Sequence, residues 1–353
     1  MTGEMRKSHR LPELDTIRGF AFLLVVLSHI GNVRNLPTRG LGQFGVWIFF
    51  VLSAFLLSYP FFENDELVVS HEAWARYFIR RVCRIWPPYL AALCLFHFVR
   101  HWTWSTVLLD ATFQRGTEIM WTVFIEVRYY LILPPIVYGM YLLRKRPVLL
   151  CVCLVGELAA NITIIPFWRN PSEWWIIYKE SGAPGGWEGE LGFLQYLPLF
   201  IAGTALALFR VRISAVPKLA TIWRKYAPSI FIVTALAMVM FSPSGMSALR
   251  GVTLPFSYGH EYWVPFAPVI SLFIVSATFL TGRIERLITK PYLRYIGEIS
   301  YSGYLLHIIF IERFAAISND LLFLLSVLIS SFIAAIIAHW FIENPFIRIG
   351  RLF

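Results

Sequence analysis

Apolar runs of about twenty residues recur along this chain, and its charged residues collect mostly between them. A helix of that length is about 30 Å long, the thickness of a bilayer's hydrocarbon layer, and a helix satisfies its own backbone donors and acceptors there. The pattern therefore predicts an all-α fold, a polytopic transmembrane bundle of about ten helices. They are expected over 15–32, 42–62, 84–101, 122–143, 147–166, 191–209, 228–242, 262–281, 296–313 and 321–342. Only 15% of residues are charged and 58% are apolar, whereas soluble domains carry about 25% charged residues. This balance excludes intrinsic disorder and collagen-like structure.

The first run follows Arg6, Lys7 and Arg10 and itself holds Asp15 and Arg18. A cleavable signal would lack such charges in its apolar stretch, so the segment reads as a true span. With the N-terminus cytoplasmic, 21 Lys and Arg fall on the cytoplasmic side and 7 on the opposite side, while Arg18, Arg100 and Arg128 lie inside spans. That bias obeys the positive-inside rule with both termini cytoplasmic. The net charge of +10 thus reads as topology, and the expected partner is the lipid bilayer rather than nucleic acid. No linker or hydrophilic stretch of domain size interrupts the chain, so a single membrane domain over 1–353, without an appended soluble domain, is expected. The longest polar insertion, residues 168–190, would lie on the outer face. Cys83, Cys94, Cys151 and Cys153 lie in or beside apolar runs and form no C-x-x-C or His/Cys cluster. They are expected to be small buried hydrophobes, and neither a metal site nor a disulfide is expected.

Ionisable groups inside spans are costly in hydrocarbon, so each is a functional candidate. The first span offers Asp15, Arg18 and His29. Eleven residues separate Arg18 from His29, which is three turns plus about 20°, so both project from one face roughly 16 Å apart. A histidine there can deprotonate a hydroxyl, or it can be a hydrogen-bonded interfacial residue. Arg76, Arg80 and Arg84 repeat at i, i+4, with Arg81 beside them, just before Ile85-Trp86-Pro87-Pro88-Tyr89. Such a stripe suits phosphate, because guanidinium forks bind its oxygens bidentately; it equally suits topology or anionic lipid. Glu126 can orient a histidine, bind a proton or pair with Arg128 or Arg18. Glu298, His307, His339 and Glu343 read as packing or boundary residues.

In order along the chain, six segments resemble acyltransferase family 3, the integral-membrane acyltransferases that include O-antigen and exopolysaccharide acetylases. They are Leu14 to Phe20 with His29 in an Arg-x10-His register, Gly45 to Leu56, Arg80 to Tyr89, Trp121 to Tyr130, Ile296 to His307, and Phe341 to Phe346. The sequence departs from the family at Trp47, where an acidic or small polar residue is usual. It also departs at Ala54, usually Gly, and at Val127-Arg128, usually Glu-Gln. The resemblance implies transfer of an acyl group, commonly acetyl from acetyl-coenzyme A, to a hydroxyl of a carbohydrate or other small acceptor. It implies His29 as base, with Arg18, Asp15 and Glu126 in support, and Arg80, Arg81, Arg84 and Tyr89 on the donor. It also implies a bacterial inner membrane. Two other classes suit intramembrane His, Glu and Arg: a proton-coupled transporter, though no repeated halves appear, and a non-catalytic membrane protein whose polar residues lock helices together.

Overall fold

Ser70 and Thr103 accept backbone N–H groups from Ala73 and Thr106 at 3.2 Å, and Asn319 accepts that of Leu322 at 2.9 Å. Each thereby satisfies a donor that a starting helix leaves orphaned. The helices so begun are part of a computed structural model that describes residues 11–36, 38, 41–168, 190–242 and 266–353. In order they are α1 (Pro12–Arg34), α2 (Leu41–Glu63), α3 (His71–Arg100), α4 (Trp104–Ala111), α5 (Trp121–Leu143), α6 (Pro147–Trp168) and α7 (Glu190–Ala215). Then come α8 (Pro217–Met240), α9 (Phe266–Ala277), α10 (Arg283–Ile288), α11 (Pro291–Glu298), α12 (Ser300–Arg313), α13 (Asp320–Ala338) and α14 (Asn344–Gly350). A π turn, His339–Glu343, joins the last two. No strand occurs among the described residues.

Seven segments among the described residues are long and apolar enough to cross a membrane: Pro12–Arg34, Leu41–Glu63, His71–Arg100, Glu118–Leu143, Tyr196–Ala215, Pro217–Met240 and Asp320–Gly350. Pro147–Asn161 and Phe266–Ala277 are shorter apolar helices, and the expected span 296–313 is divided between α11 and α12. Two helices start earlier than apolar length predicts, α3 at His71 rather than 84 and α8 at Pro217 rather than 228. Their first turns are rich in charge, which a hydropathy window rejects but the backbone ladder does not. Residues 169–189, most of the expected outer insertion, lie outside the described residues, as do residues 1–10 and 262–265.

Helix α2 is the centre of the bundle: 67% of its apolar window is buried, against 17% for α8 and 22% for Asp320–Gly350. It packs on α1, α5, α7 and α9. Its closest neighbour, α7, reaches it through Gly203, where any Cβ would overlap the Val51 carbonyl oxygen. Behind that contact Phe50, Tyr196, Phe200 and Tyr129 form an aromatic seam, with ring centroids 4.3 Å apart for Tyr129 and Phe200. Gly297 does the same service between α11 and α1, since a Cβ there would overlap the Asp15 carbonyl oxygen. This contact fixes the first turns of α1 against the chain's C-terminal third.

The peripheral helices turn large apolar side chains outward, as at Leu131, Val155, Leu321 and Phe341. A soluble protein would not present such a surface, and a bilayer covers it. The cysteines belong to it too, which corrects the expectation that they are buried. Cys94, Cys151 and Cys153 are exposed, Cys83 is half-buried, and all four are free thiols. Lipid is as apolar as a protein core, so an apolar run does not reveal which of its faces meets protein.

Candidate active site

Helices α1, α2, α3, α5 and α12 surround a cavity of about 680 Å³, measured out to its mouth. Its charged walls are Arg18 from α1, Arg81 and Arg84 from α3, and Glu126 from α5. Ser53, Thr122, Tyr130, Ser300, Tyr301 and Tyr304 add hydroxyls, and Val46, Phe49 and Phe50 supply an apolar side. Three guanidinium groups against one carboxylate make the lining cationic. Arg81 has its Nε buried without a hydrogen-bond partner among the described residues. An orphaned cationic donor beside a cavity is a place for an anionic oxygen.

The arginine segment is divided by the phase of α3. Arg81 and Arg84, at i and i+3, share the cavity, whereas Arg80 does not line it and packs beside Gly350 of α14. Arg76 bonds Glu72 at 3.2 Å on the exposed side. The expected stripe through Arg76, Arg80 and Arg84 is thus broken, because α3 meets different neighbours along its length. Tyr89 also stands apart from the cavity. It is fully buried, stacked on Phe113 at 5.2 Å, and its hydroxyl donates to the Asp110 carbonyl. Asp15 packs in the α1–α11 contact through its backbone rather than lining the cavity.

Glu126 accepts hydrogen bonds from the Ser53 hydroxyl and, at 2.5 Å, from the Tyr130 hydroxyl. Both donors come from cavity-lining residues, so the carboxylate is held at the wall between α2 and α5. Arg128 points elsewhere, with its guanidinium 4.0 Å from the centre of the Phe124 ring. Two residues along a helix turn a side chain through about 200°, which is why the neighbouring charges do not meet.

His29 lies some three turns along α1 from Arg18 and is only partly exposed. Its Nδ1 is 2.9 Å from Nε2 of His307 on α12, and the two rings are tilted by 30°. His307 is fully buried, and its Nδ1 is 2.7 Å from the Tyr304 carbonyl oxygen. Tyr304 connects this pair to the cavity. Its hydroxyl donates to the Ile119 carbonyl and accepts from Thr122, both at 2.9 Å, while its ring centroid lies 5.7 Å from that of His307. Sequence reasoning set His307 down as a packing or boundary residue and did not connect it with His29. The distance of one turn from His307 to the cavity residue Tyr304 is the signal that would have found it.

At the far end of α3 Arg100 pairs with Glu118 and, at 2.6 Å, with Glu312, joining three segments. Among the described residues no group of three or more His, Cys, Asp or Glu is placed to hold a metal ion.

No curated protein and no solved structure matches the chain. A family model does: that of an acyltransferase domain matches residues 11–341, from the start of α1 into the π turn, and so takes in every wall of the cavity and both histidines. With seven helical segments among the described residues long and apolar enough to cross a bilayer, the chain belongs to acyltransferase family 3.

Proposed function

We propose that this chain is a membrane O-acyltransferase that takes an acetyl group from acetyl-coenzyme A and delivers it to a hydroxyl of a carbohydrate or other small acceptor. The observation that carries the reading is the cationic cavity of Arg18, Arg81 and Arg84, with a buried guanidinium donor left unpaired. Coenzyme A is polyanionic, and guanidinium forks match phosphate oxygens. In this reading the phosphates rest on those arginines, and the thioester arm extends along α1 toward His29, roughly 16 Å away.

His29 then takes the acceptor's hydroxyl proton as general base. The acceptor oxygen attacks the thioester carbonyl carbon, a C–O bond forms, the C–S bond breaks, and His29 returns the proton to the departing thiolate. Glu126 holds Ser53 and Tyr130 in place and offsets part of the cationic charge. The proposal includes a single membrane domain of about ten spans with both termini cytoplasmic, in a bacterial inner membrane. The excess of Lys and Arg on that side supports this orientation.

Purified protein given radiolabelled acetyl-coenzyme A tests it, wild type beside His29→Ala and Arg84→Ala. Release of free coenzyme A by wild type that falls with both substitutions is the expected outcome. Undiminished release by a folded His29→Ala protein would remove the base from the scheme. Failure of wild type to bind or turn over acetyl-coenzyme A would remove the donor.

A further inference from the structure

A base works only if the nitrogen facing its substrate carries a lone pair, and a neutral imidazole has one such nitrogen. Two distances decide which nitrogen that is in His29. The Tyr304 carbonyl oxygen, 2.7 Å from His307 Nδ1, accepts and cannot donate. His307 Nδ1 therefore carries a proton and donates it to that carbonyl. A second proton, on His307 Nε2, would place a charge in a site with no exposed surface and no hydrogen-bonded carboxylate among the described residues. His307 Nε2 is thus an acceptor. The atom 2.9 Å from it, His29 Nδ1, must then be the donor, and the remaining lone pair of His29 is on Nε2.

The geometry points to His307 as a positioning residue that fixes His29 in the tautomer with Nδ1 protonated and Nε2 bare. This rests on His29 being the base of the proposed transfer. His307 does here, with a neutral ring, what a carboxylate does behind a catalytic histidine in a hydrolase triad. The pair orients the base without conducting protons, because a proton passed to His307 Nε2 would have to leave from Nδ1 into a carbonyl oxygen that does not retain one. The proton taken from the acceptor hydroxyl therefore stays on His29 until the thiolate leaves. Helix packing holds the pair in register: at Gly303, between Tyr304 and the preceding turn, a Cβ would overlap the Phe22 ring of α1.

The test uses full-length protein in lipid nanodiscs with 15N-labelled histidine, the His29 signals being assigned by their loss in His29→Ala. Wild type at neutral pH should show His29 protonated at Nδ1 and bare at Nε2. His307→Leu should convert this to a mixture of tautomers, and His307→Gln, whose amide oxygen can accept from His29, should restore it. With acetyl-coenzyme A as donor, the rate of coenzyme A release at saturation should fall about 100-fold in His307→Leu with little change in KM. It should return to within about tenfold of wild type in His307→Gln. A wild-type His29 protonated at Nε2, or a His29 tautomer and rate unmoved in His307→Leu, overturns the assignment. If His307→Leu does not fold, the wild-type spectrum and His307→Gln decide alone. Wild-type turnover by His29→Ala is the separate result that overturns the base reading.

Discussion

Helix α1 carries two polar stations that solve opposite problems. Around Arg18 the lining is charged and contributed by four further helices. Around His29 the partner is a second imidazole, fully buried, and no charge is hydrogen-bonded to either ring among the described residues. Binding a polyanion needs many cationic donors whose own pairing is incomplete. Proton transfer needs one nitrogen in a defined state, which a single hydrogen bond supplies. In the proposed function the same span meets both needs because its polar stripe passes through two different surroundings.

The largest expected effect tests whether chemistry is confined to the histidine station. His29→Ala should lower coenzyme A release at least 1,000-fold while leaving the affinity for coenzyme A, followed by thermal stabilisation, within about threefold of wild type. A parallel loss of affinity would merge the two stations into one. Next is the arginine station. Arg84→Ala should weaken coenzyme A binding about 10- to 100-fold, the value of a hydrogen bond between charged groups. Arg80→Ala, outside the cavity, should change it less than threefold; equal losses in both variants would mean that the whole basic segment attracts the donor by charge alone.

A smaller effect is expected of Glu126→Gln. Its amide oxygen can still accept from Ser53 and Tyr130, so turnover should drop less than about tenfold while donor binding tightens slightly as negative charge is lost. A collapse of turnover with unchanged binding would move Glu126 into the chemistry.

The smallest effect lies outside both stations, at Asp110 on α4, beyond the candidate spans. Burial pushes its carboxyl up from 3.8 to about 6, against the opposing hydrogen bond from Thr117 N–H at 2.9 Å. The folded protein therefore holds this proton more tightly than the unfolded chain. Its contribution to stability rises as pH falls from 6 toward 4 and is lost above pH 6. Asp110→Asn should stabilise the protein at pH 7.5 by on the order of 2 kcal/mol and flatten that part of the profile. Thermal melting in detergent across pH 4 to 8 measures it, and an unchanged slope would sink the assignment.

Seven of the ten expected spans reappear as helices long and apolar enough to cross a membrane, because bilayer thickness sets a length that apolar runs must meet. Helix phase was not legible in the sequence. The Arg80 to Arg84 segment announces a cationic function, yet arginines point from several faces of α3, and only packing selects Arg81 and Arg84 for the cavity. The cysteines show the same blindness, since core and lipid faces share one chemistry. Arg18, Glu126 and His29 stood out because charge and imidazole are rare in spans. His307 did not stand out, since its meaning depends on a residue 278 positions away.

The unbroken course of α1 from Pro12 to Arg34 makes it a ruler. Its rise fixes roughly 16 Å between the backbone positions of Arg18 and His29, an interval set by the helix and not by its side chains. In the proposed transfer a donor is thereby measured as well as bound. A compact activated acyl group such as an acyl phosphate can satisfy one end or the other, whereas one with a long tether between its anionic head and its thioester can touch both.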